Sequence, residues 1–292
     1  MKKYRLGIAL GGGGAKGFAH LGVLRALEEF GLKPDIIAGC SAGSIVGSFY
    51  AAGFAIDDII SLFCKVKLSS FGKVSIPTTG LFSLSKLEAF LESKLPYSRI
   101  EDLPFPNIIT ATSLDTYSAV AFTEGPLAKC ITASCSLPVV FQPTVIDGNT
   151  YLDGGVLHNL PAFALRDICD YVLGVVVSPL NKSPFKNSLG DIAYRSYRLM
   201  TTRNTHEDMQ TCDAVITVDN MKGRSTFGFE HMRDNAKDGY FAAMKTLVNS
   251  PLLKQLRDEK KEYTRYLPTV STLVHQHECE QHIQWHYRAK RS

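Results

Sequence analysis

A serine flanked by glycines is the strongest chemical signal in this sequence. Residues 39–43 read Gly-Cys-Ser-Ala-Gly, and they lie between an apolar run at 34–39 that predicts a strand and a segment with helical spacing. A serine on so sharp a strand-to-helix turn adopts strained backbone angles, and Gly39 and Gly43 let the neighbouring backbones approach each other. The pattern predicts that Ser41 is a nucleophile facing the amide groups of the following helix.

A glycine-rich loop at residues 11–17 admits three interpretations. A dinucleotide-binding fingerprint fits the glycine spacing, but it also needs an acidic residue at the end of the second strand, where this chain has Gly39. A phosphate-binding P-loop fails because Lys16 follows an alanine and precedes no Ser or Thr. The third interpretation is an oxyanion loop, whose backbone N–H groups lie beside Ser41; Lys16 then either adds positive charge or caps the loop at the surface.

A serine hydroxyl also needs a base to accept its proton, and histidine is the usual one. His20 lies among apolar residues on the first predicted helix, which favours a packed or half-exposed structural histidine. Asp153 is a second candidate, because it leaves a short strand and precedes Gly154 and Gly155, which would free its carboxylate to face a neighbouring loop. An ordinary Asp-Gly turn explains the same residues equally well.

The elements that carry these motifs indicate an α/β fold. The chain opens with two strand-loop-helix units in succession, and such units build parallel strands with helices on both faces of a sheet. We expect further strands at 107–113, 118–123, 171–177 and 214–218, with a hairpin around 144–152. We expect further helices at 56–66, 83–94, 126–135, 188–208, 231–249 and 251–264, and long loops at 67–82 and 178–190.

The composition is that of a globular protein, with 45% hydrophobic and 21% charged residues in a chain of 292. No run reaches the roughly 18 apolar residues that span a bilayer, so we expect membrane contact to be peripheral at most. Seven cysteines without paired spacing favour a reducing compartment, and we expect a cytoplasmic location.

The C-terminal segment carries much of the net charge of +4. We interpret its basic residues as a solvated face and expect no nucleic-acid partner. His275, Cys279, His282 and His286 would share one face of a helix, but they lack a His-Glu-x-x-His pattern, and we expect a polar face and no metal. Trp285 and Tyr287 in this basic segment could contact a membrane interface.

Taken together, the motifs resemble those of the patatin-like phospholipase family. The matching segments are 12–17 (Gly-Gly-Gly-Ala-Lys-Gly), 39–43 and 153–155, in that order, and 133–138 is similar to the family's Ala-Ser-x-x-x-Pro stretch. The resemblance covers about residues 5–218 and implies a three-layer α/β/α sandwich around a mainly parallel central sheet. We expect residues 219–292 to form a helical appendage packed on the same domain.

The resemblance also implies a function, that of a lipid acyl hydrolase with a Ser41–Asp153 dyad and an acyl-serine intermediate. The substrate would be a phospholipid or another fatty-acyl ester, and neither a cofactor nor a metal would be required. An aspartate near its ordinary pKa is a weak base for a hydroxyl, so the transfer of the serine proton to it is unfavourable. The oxyanion loop must offset much of the free-energy cost of that transfer. The residues implied for that loop are Gly12, Gly13, Gly14, Ala15 and Lys16, supported by Gly17. A catalytically silent lipid-binding protein and a dinucleotide-binding enzyme are the alternatives; the motif residues present disfavour the first, and the missing acidic residue the second.

Overall fold

The structure is a computed structural model that describes residues 2–64, 73–74, 82–177, 180, 184–221, 223–226, 228 and 230–265. The strands are β1 Tyr4–Leu10, β2 Ile36–Cys40, β3 Lys73–Val74, β4 Phe82–Ser83, β5 Asn107–Ser113, β6 Ala119–Phe122, β7 Thr144–Ile146, β8 Asn149–Asp153, β9 Cys169–Val176 and β10 Ala214–Thr217. The α-helices are α1 Ala19–Phe30, α2 Ala42–Ala51, α3 Ile56–Cys64, α4 Ser85–Lys94, α5 Leu127–Ser134, α6 Phe163–Arg166, α7 Leu189–Met209, α8 Met232–Asn249 and α9 Pro251–Arg265. Short 3-10 turns occupy Gly14–Phe18, Ile100–Asp102 and Gly154–Val156.

The central sheet has the strand order β10-β9-β1-β2-β5-β8-β7, and β6 also pairs with β5. The strands from β10 to β5 are parallel, whereas β8, β7 and β6 run antiparallel to their neighbours. In the register of β5, Thr110 pairs with Cys40 of β2, and the next residue, Ala111, pairs with Asp153 of β8. The end of β2 and the end of β8 therefore lie at the same level on either side of β5.

Helices cover both faces of this sheet. Ile8 and Leu10 of β1 join the cluster that contains α1, α2 and α3, whereas Ala9 points to the opposite cluster, which contains Leu165 of α6. This alternation follows from the pleat of a strand, which directs successive side chains to opposite faces. The predicted three-layer α/β/α sandwich around a mainly parallel sheet is confirmed.

Helix α8 packs on α1 at backbone contact distance. A Cβ atom on Gly22 would lie 1.7 Å from the Ala236 carbonyl oxygen, and one on Gly239 would lie 2.0 Å from the Ala19 carbonyl oxygen. Each helix thus needs a glycine where it crosses the other. The domain boundary near residue 218 stays a prediction, although α8 clearly shares the core of α1.

Most predicted elements agree with the structure to within a few residues. The hairpin is β7–β8, and Asp147 and Gly148 at its turn both have positive φ, 49° and 81°. Within the loop predicted at 67–82, Lys73 and Val74 pair with Ser83 and Phe82, and residues 67–72 and 75–81 lie outside the described residues. Helix α6 was not predicted from the sequence, since four residues give too little periodicity. The C-terminal histidine cluster, Trp285 and Tyr287 lie outside the described residues.

Among the helices that the structure describes, none is long and apolar enough to cross a membrane.

Candidate active site

Ser41 lies on a strained turn between β2 and α2. Its backbone angles are φ 51° and ψ −120°, a conformation that costs a non-glycine residue on the order of 1–3 kcal/mol. Its N–H donates to the Ser134 hydroxyl at 2.8 Å, and its carbonyl oxygen accepts from the Ser44 hydroxyl at 2.6 Å. These contacts hold the turn in a shape that an isolated chain would not keep.

The two glycines that flank Ser41 meet the backbone of neighbouring elements. A Cβ atom on Gly39 would lie 2.5 Å from the Gly43 carbonyl oxygen, and one on Gly43 would lie 2.0 Å from the Leu10 carbonyl oxygen. Any larger residue would push α2 away from β1 and β2. This is the close approach that the Gly-x-Ser-x-Gly pattern predicts.

Asp153 ends β8 and is only 1% exposed. Its Oδ1 atom accepts hydrogen bonds from the Gly155 N–H at 2.8 Å and from the Tyr197 hydroxyl at 3.1 Å. The adjacent Gly154 packs against β5, where a Cβ atom would lie 2.8 Å from the Thr110 carbonyl oxygen. The aspartate is thus a fixed element of the site, held by donors from two different segments.

Burial is the largest influence on Asp153 and raises its pKa to about 6. Hydrogen bonds from Gly155, from the Ser41 and Tyr197 hydroxyls and from the Cys40 thiol each lower that pKa and offset part of the effect of burial. The carboxyl group is therefore mostly ionised at neutral pH, and it is a stronger base than an aspartate in water.

The glycine loop lies directly beside Ser41. A Cβ atom on Gly12 would be 3.3 Å from the Ser41 Cβ and 2.5 Å from the Asn159 side-chain oxygen. Gly17 faces α2 at a similar distance, since its Cβ would lie 2.4 Å from the Ala42 Cβ. Only residues without side chains allow the loop and Ser41 to be this close.

Several N–H groups of the loop are already engaged. Gly12 donates to Asn159 O at 2.9 Å, Ala15 to Thr226 O at 2.8 Å, and Lys16 to Gly13 O at 3.2 Å. Among the described residues, none accepts a hydrogen bond from the N–H of Gly13 or Gly14. Of the five residues expected in the oxyanion loop, Gly13 and Gly14 are thus the two whose N–H groups have no acceptor among the described residues.

The Lys16 side chain is 6% exposed, so it does not cap the loop at the surface. Burial lowers its pKa, and the positive charges of Arg198 and Arg224 lower it further. The interpretation that Lys16 adds positive charge near the loop therefore fits the structure better.

His20 is fully buried beneath the same loop. One ring nitrogen, Nε2, lies 2.7 Å from the Gly11 carbonyl oxygen and must donate to it. Burial lowers the pKa of His20 to about 4, so the ring is neutral at pH 7. These contacts fit the packed structural histidine that the sequence favours.

A largely apolar pocket opens above Ser41. Its cavity volume is about 110 Å³, and its mouth is open to solvent. The glycine loop, Ser41 and Asp153 form its polar end, joined by Asn159, Thr226 and residues of α7. Its walls are mainly aliphatic and aromatic side chains: Phe18, Ile45, Val46, Phe63, Leu84, Leu87, Leu137 and Phe141.

Sequence reasoning did not identify four polar residues of this site, namely Ser134, Asn159, Tyr197 and Thr226. Ser134 belongs to the Ala-Ser stretch at 133–138, which was a usable signal. The other three act through contacts with distant segments, and nothing in their local sequence marks them.

In the part of the chain that the structure describes, no three His, Cys, Asp or Glu side chains cluster closely enough to hold a metal ion.

Comparisons with known proteins identify the family of this chain. A family model for patatin-like phospholipases matches residues 8–166. An uncharacterised NTE family protein of Mycobacterium tuberculosis is 32% identical over 188 residues, which is 63% of this chain and 52% of that protein. Lysophospholipase NTE1 of Mycosarcoma maydis is 34% identical over 237 residues, which is 76% of this chain and 12% of that protein.

The chain therefore spans about half of the mycobacterial protein and about an eighth of the fungal one. Among solved structures, VipD from Legionella pneumophila is similar with 15% sequence identity and a TM-score of 0.48, over 88% of this chain and 67% of that chain.

Proposed function

Because this chain belongs to the patatin-like phospholipase family, we propose that it hydrolyses lipid esters with Ser41 as nucleophile and Asp153 as general base. The observation that carries the proposal is a buried carboxylate within hydrogen-bond reach of a strained serine, at the polar end of an apolar pocket. A serine needs such a base before it can attack an ester carbonyl.

The reaction would proceed in two halves. Ser41 Oγ attacks the ester carbonyl carbon while Asp153 takes the hydroxyl proton, and collapse of the tetrahedral intermediate expels the alcohol, which recovers that proton from Asp153. Water then attacks the acyl-serine with Asp153 again as base, which releases the fatty acid and restores Ser41. No metal or cofactor takes part in these steps.

The negative oxygen of each tetrahedral intermediate would accept from the N–H groups of Gly13 and Gly14. Both residues line the pocket, and their amides are the ones left without an acceptor among the described residues. One donor of this kind typically supplies about 3 kcal/mol of transition-state stabilisation. The Asp153 pKa of about 6 is also closer to the pKa of a serine hydroxyl than the pKa of an ordinary aspartate is. Proton transfer from Ser41 therefore costs less free energy, and the oxyanion loop has less of that cost to offset.

The apolar walls of the pocket favour a fatty-acyl chain as the part of the substrate that it holds. Relatives such as the fungal protein are named lysophospholipases, and we propose single-chain phospholipids as the first substrates to test.

The dinucleotide alternative gains no support, because β2 ends at Cys40 and leads directly into Ser41. Cytoplasmic location and peripheral membrane contact stay predictions.

A hydrolysis profile tests this proposal. Purified protein would be assayed on p-nitrophenyl esters of increasing acyl length, on lysophosphatidylcholine and on phosphatidylcholine, with Ser41→Ala as the matched control. We expect turnover of medium and long acyl esters that Ser41→Ala abolishes. Turnover retained by Ser41→Ala would overturn the assignment of Ser41 as the nucleophile. No hydrolysis of any ester would overturn the proposed activity and favour a silent lipid-binding protein.

A further inference from the structure

Tyr197 meets the proposed base from a helix that the family model does not match. The residue belongs to α7, beyond the matched range 8–166, and its side chain is 8% exposed. Its hydroxyl donates to Asp153 Oδ1 at 3.1 Å, and its ring lines the pocket. Nothing in the motifs at 12–17, 39–43 or 153–155 accounts for this contact.

The turn after Asp153 is shaped to admit the tyrosine hydroxyl. A Cβ atom on Gly155 would lie 2.4 Å from the Tyr197 hydroxyl oxygen, so an ordinary side chain there would displace the tyrosine. The Gly155 N–H donates to the same Oδ1 atom at 2.8 Å. One glycine thus supplies a donor to the carboxylate and leaves space for the second donor.

Residues of α7 that follow Tyr197 bind the helix to the same turn after Asp153. The Asn204 side-chain amide donates to the Gly155 carbonyl oxygen at 2.9 Å, and Asp208 pairs with His158 at 2.6 Å. These bonds fix α7, and therefore Tyr197, relative to the end of β8. The tyrosine contact is part of a network and not an isolated encounter.

The geometry points to Tyr197 as a positioning residue that holds the Asp153 carboxylate by Oδ1 and leaves Oδ2 to accept the proton of Ser41. The inference rests on the proposed function, since it takes Asp153 to be the base. Tyr197, Gly155 and the more distant Cys40 thiol, at 3.8 Å, all address Oδ1. A carboxylate bound so unevenly has one orientation, and a base must be oriented before it can act.

Several other titratable and charged groups surround this pair, and burial raises the pKa of one of them, Asp208. Burial raises the pKa of the Cys40 and Cys135 thiols and of Tyr197 well above neutrality, so all three stay protonated. The positive charge of Arg198, the next residue on α7, lowers the pKa of Tyr197 and offsets a small part of the effect of burial. The hydrogen bond to Asp208 raises the pKa of His158 above its ordinary 6.5, so that histidine titrates on the alkaline side of Asp153.

The test is the pH profile of kcat/KM for Tyr197→Phe, which removes one oxygen atom from the site. The Tyr197 hydrogen bond lowers the pKa of Asp153, so its loss should raise that pKa and move the acidic limb to higher pH. We expect kcat/KM to fall about tenfold at pH 5.5 and about threefold or less at pH 8.5. Tyr240→Phe, which removes a hydroxyl bonded to Glu29 at the surface, should leave the limb unmoved.

A second variant works in the opposite direction. Replacing Tyr197 with 3-fluorotyrosine keeps the ring and gives a more acidic phenol, which should donate more strongly and move the acidic limb to lower pH. A Tyr197→Phe profile parallel to that of the wild type, or a fluorotyrosine limb that does not move, would overturn the inference. Asp153→Asn distinguishes failure of this inference from failure of the proposed function. Activity retained by that variant would overturn the assignment of Asp153 as the base and with it the proposed function.

Discussion

The Asn235 side-chain amide donates to the Ala15 carbonyl oxygen at 3.0 Å and so joins α8 to the glycine loop 220 residues earlier in the chain. Arg224 in turn donates to the Asn235 side-chain oxygen at 2.7 Å, and Thr226 O accepts from the Ala15 N–H at 2.8 Å. The N–H and the carbonyl group of Ala15 are therefore both hydrogen-bonded to residues that follow β10. The segment after residue 218 helps to build the site.

We predict that Asn235→Ala lowers kcat by about tenfold and the free energy of unfolding by about 1–2 kcal/mol. The variant leaves the buried Ala15 carbonyl oxygen without its donor, and such a loss has this cost. Esterase kinetics and chemical denaturation measure the two effects. Asn249→Ala is the matched control, because it removes an amide on the same helix whose partner among the described residues is the exposed Lys245 carbonyl. Equal effects in both variants would contradict the link between α8 and the loop.

We predict that Gly14→Ala abolishes most of the activity. Gly14 has φ 55°, and a Cβ atom there would lie 2.3 Å from the Thr226 carbonyl oxygen, so the loop must shift and carry its N–H groups away from Ser41. Losing one oxyanion donor costs about a hundredfold to a thousandfold in kcat.

The control for Gly14→Ala is Gly148→Ala in the β7–β8 turn. Gly148 has φ 81° but nothing within 4 Å of its Cβ position, so the substitution carries backbone strain without a clash. We expect Gly148→Ala to lower stability and keep its kcat. A Gly14→Ala enzyme of normal kcat would exclude this loop as the oxyanion site.

We predict that Asp153→Asn is inactive and yet more stable than the wild type at pH 8. Burial raises the pKa of Asp153 to about 6, so at higher pH the folded protein holds a carboxylate that is more costly to ionise there than in the unfolded chain. The sign follows from this pKa: the stability that protonation gives the wild type is complete below about pH 4, is lost as the pH rises from there through about 6, and changes little at higher pH.

Thermal melts of both proteins from pH 4.5 to pH 8 measure this effect. The Tm advantage of Asp153→Asn should grow as the pH rises through 6 and disappear at the acidic end. In the wild type, kcat/KM should fall as the pH drops below about 6, because the base becomes protonated. An Asp153→Asn variant that is both active and less stable would show that the carboxylate is structural.

The acyl-chain preference should depend on Ile45, which follows the nucleophile on α2 and lines the pocket. We predict that Ile45→Trp shortens the preferred acyl chain, because the larger ring fills space that a long chain would occupy. The chain-length series of p-nitrophenyl esters measures the change. Ile192→Trp on the exposed face of α7 is the control, and an unchanged preference in Ile45→Trp would place the acyl chain elsewhere.

The local parts of this site were predictable from the sequence, and the distant contacts were not. The turn at Ser41 is local, since a strand, two glycines and a helix follow one another within a few residues. The position of Asp153 beside it depends on the neighbouring partners Thr110 and Ala111 in β5, a register that periodicity does not reveal.

The hydrogen-bond partners of the loop N–H groups were likewise not predictable from the sequence. Five consecutive residues looked equivalent as oxyanion donors, but Asn159 and Thr226, far along the chain, accept from Gly12 and Ala15. Tyr197 gave no signal either, because helical spacing shows which residues face inward but does not identify what they contact.

The most direct test of the account is to find where a fluorophosphonate probe attaches to the native protein. Such a probe reacts with an activated serine hydroxyl, and peptide mass spectrometry locates the adduct. We predict a single adduct on Ser41, formed by the wild type and by the surface variant Tyr240→Phe, greatly slowed in Asp153→Asn and absent in Ser41→Ala. Ester hydrolysis by a protein that carries no adduct on Ser41, or labelling at full rate in Asp153→Asn, would contradict the assignment of Ser41 and Asp153.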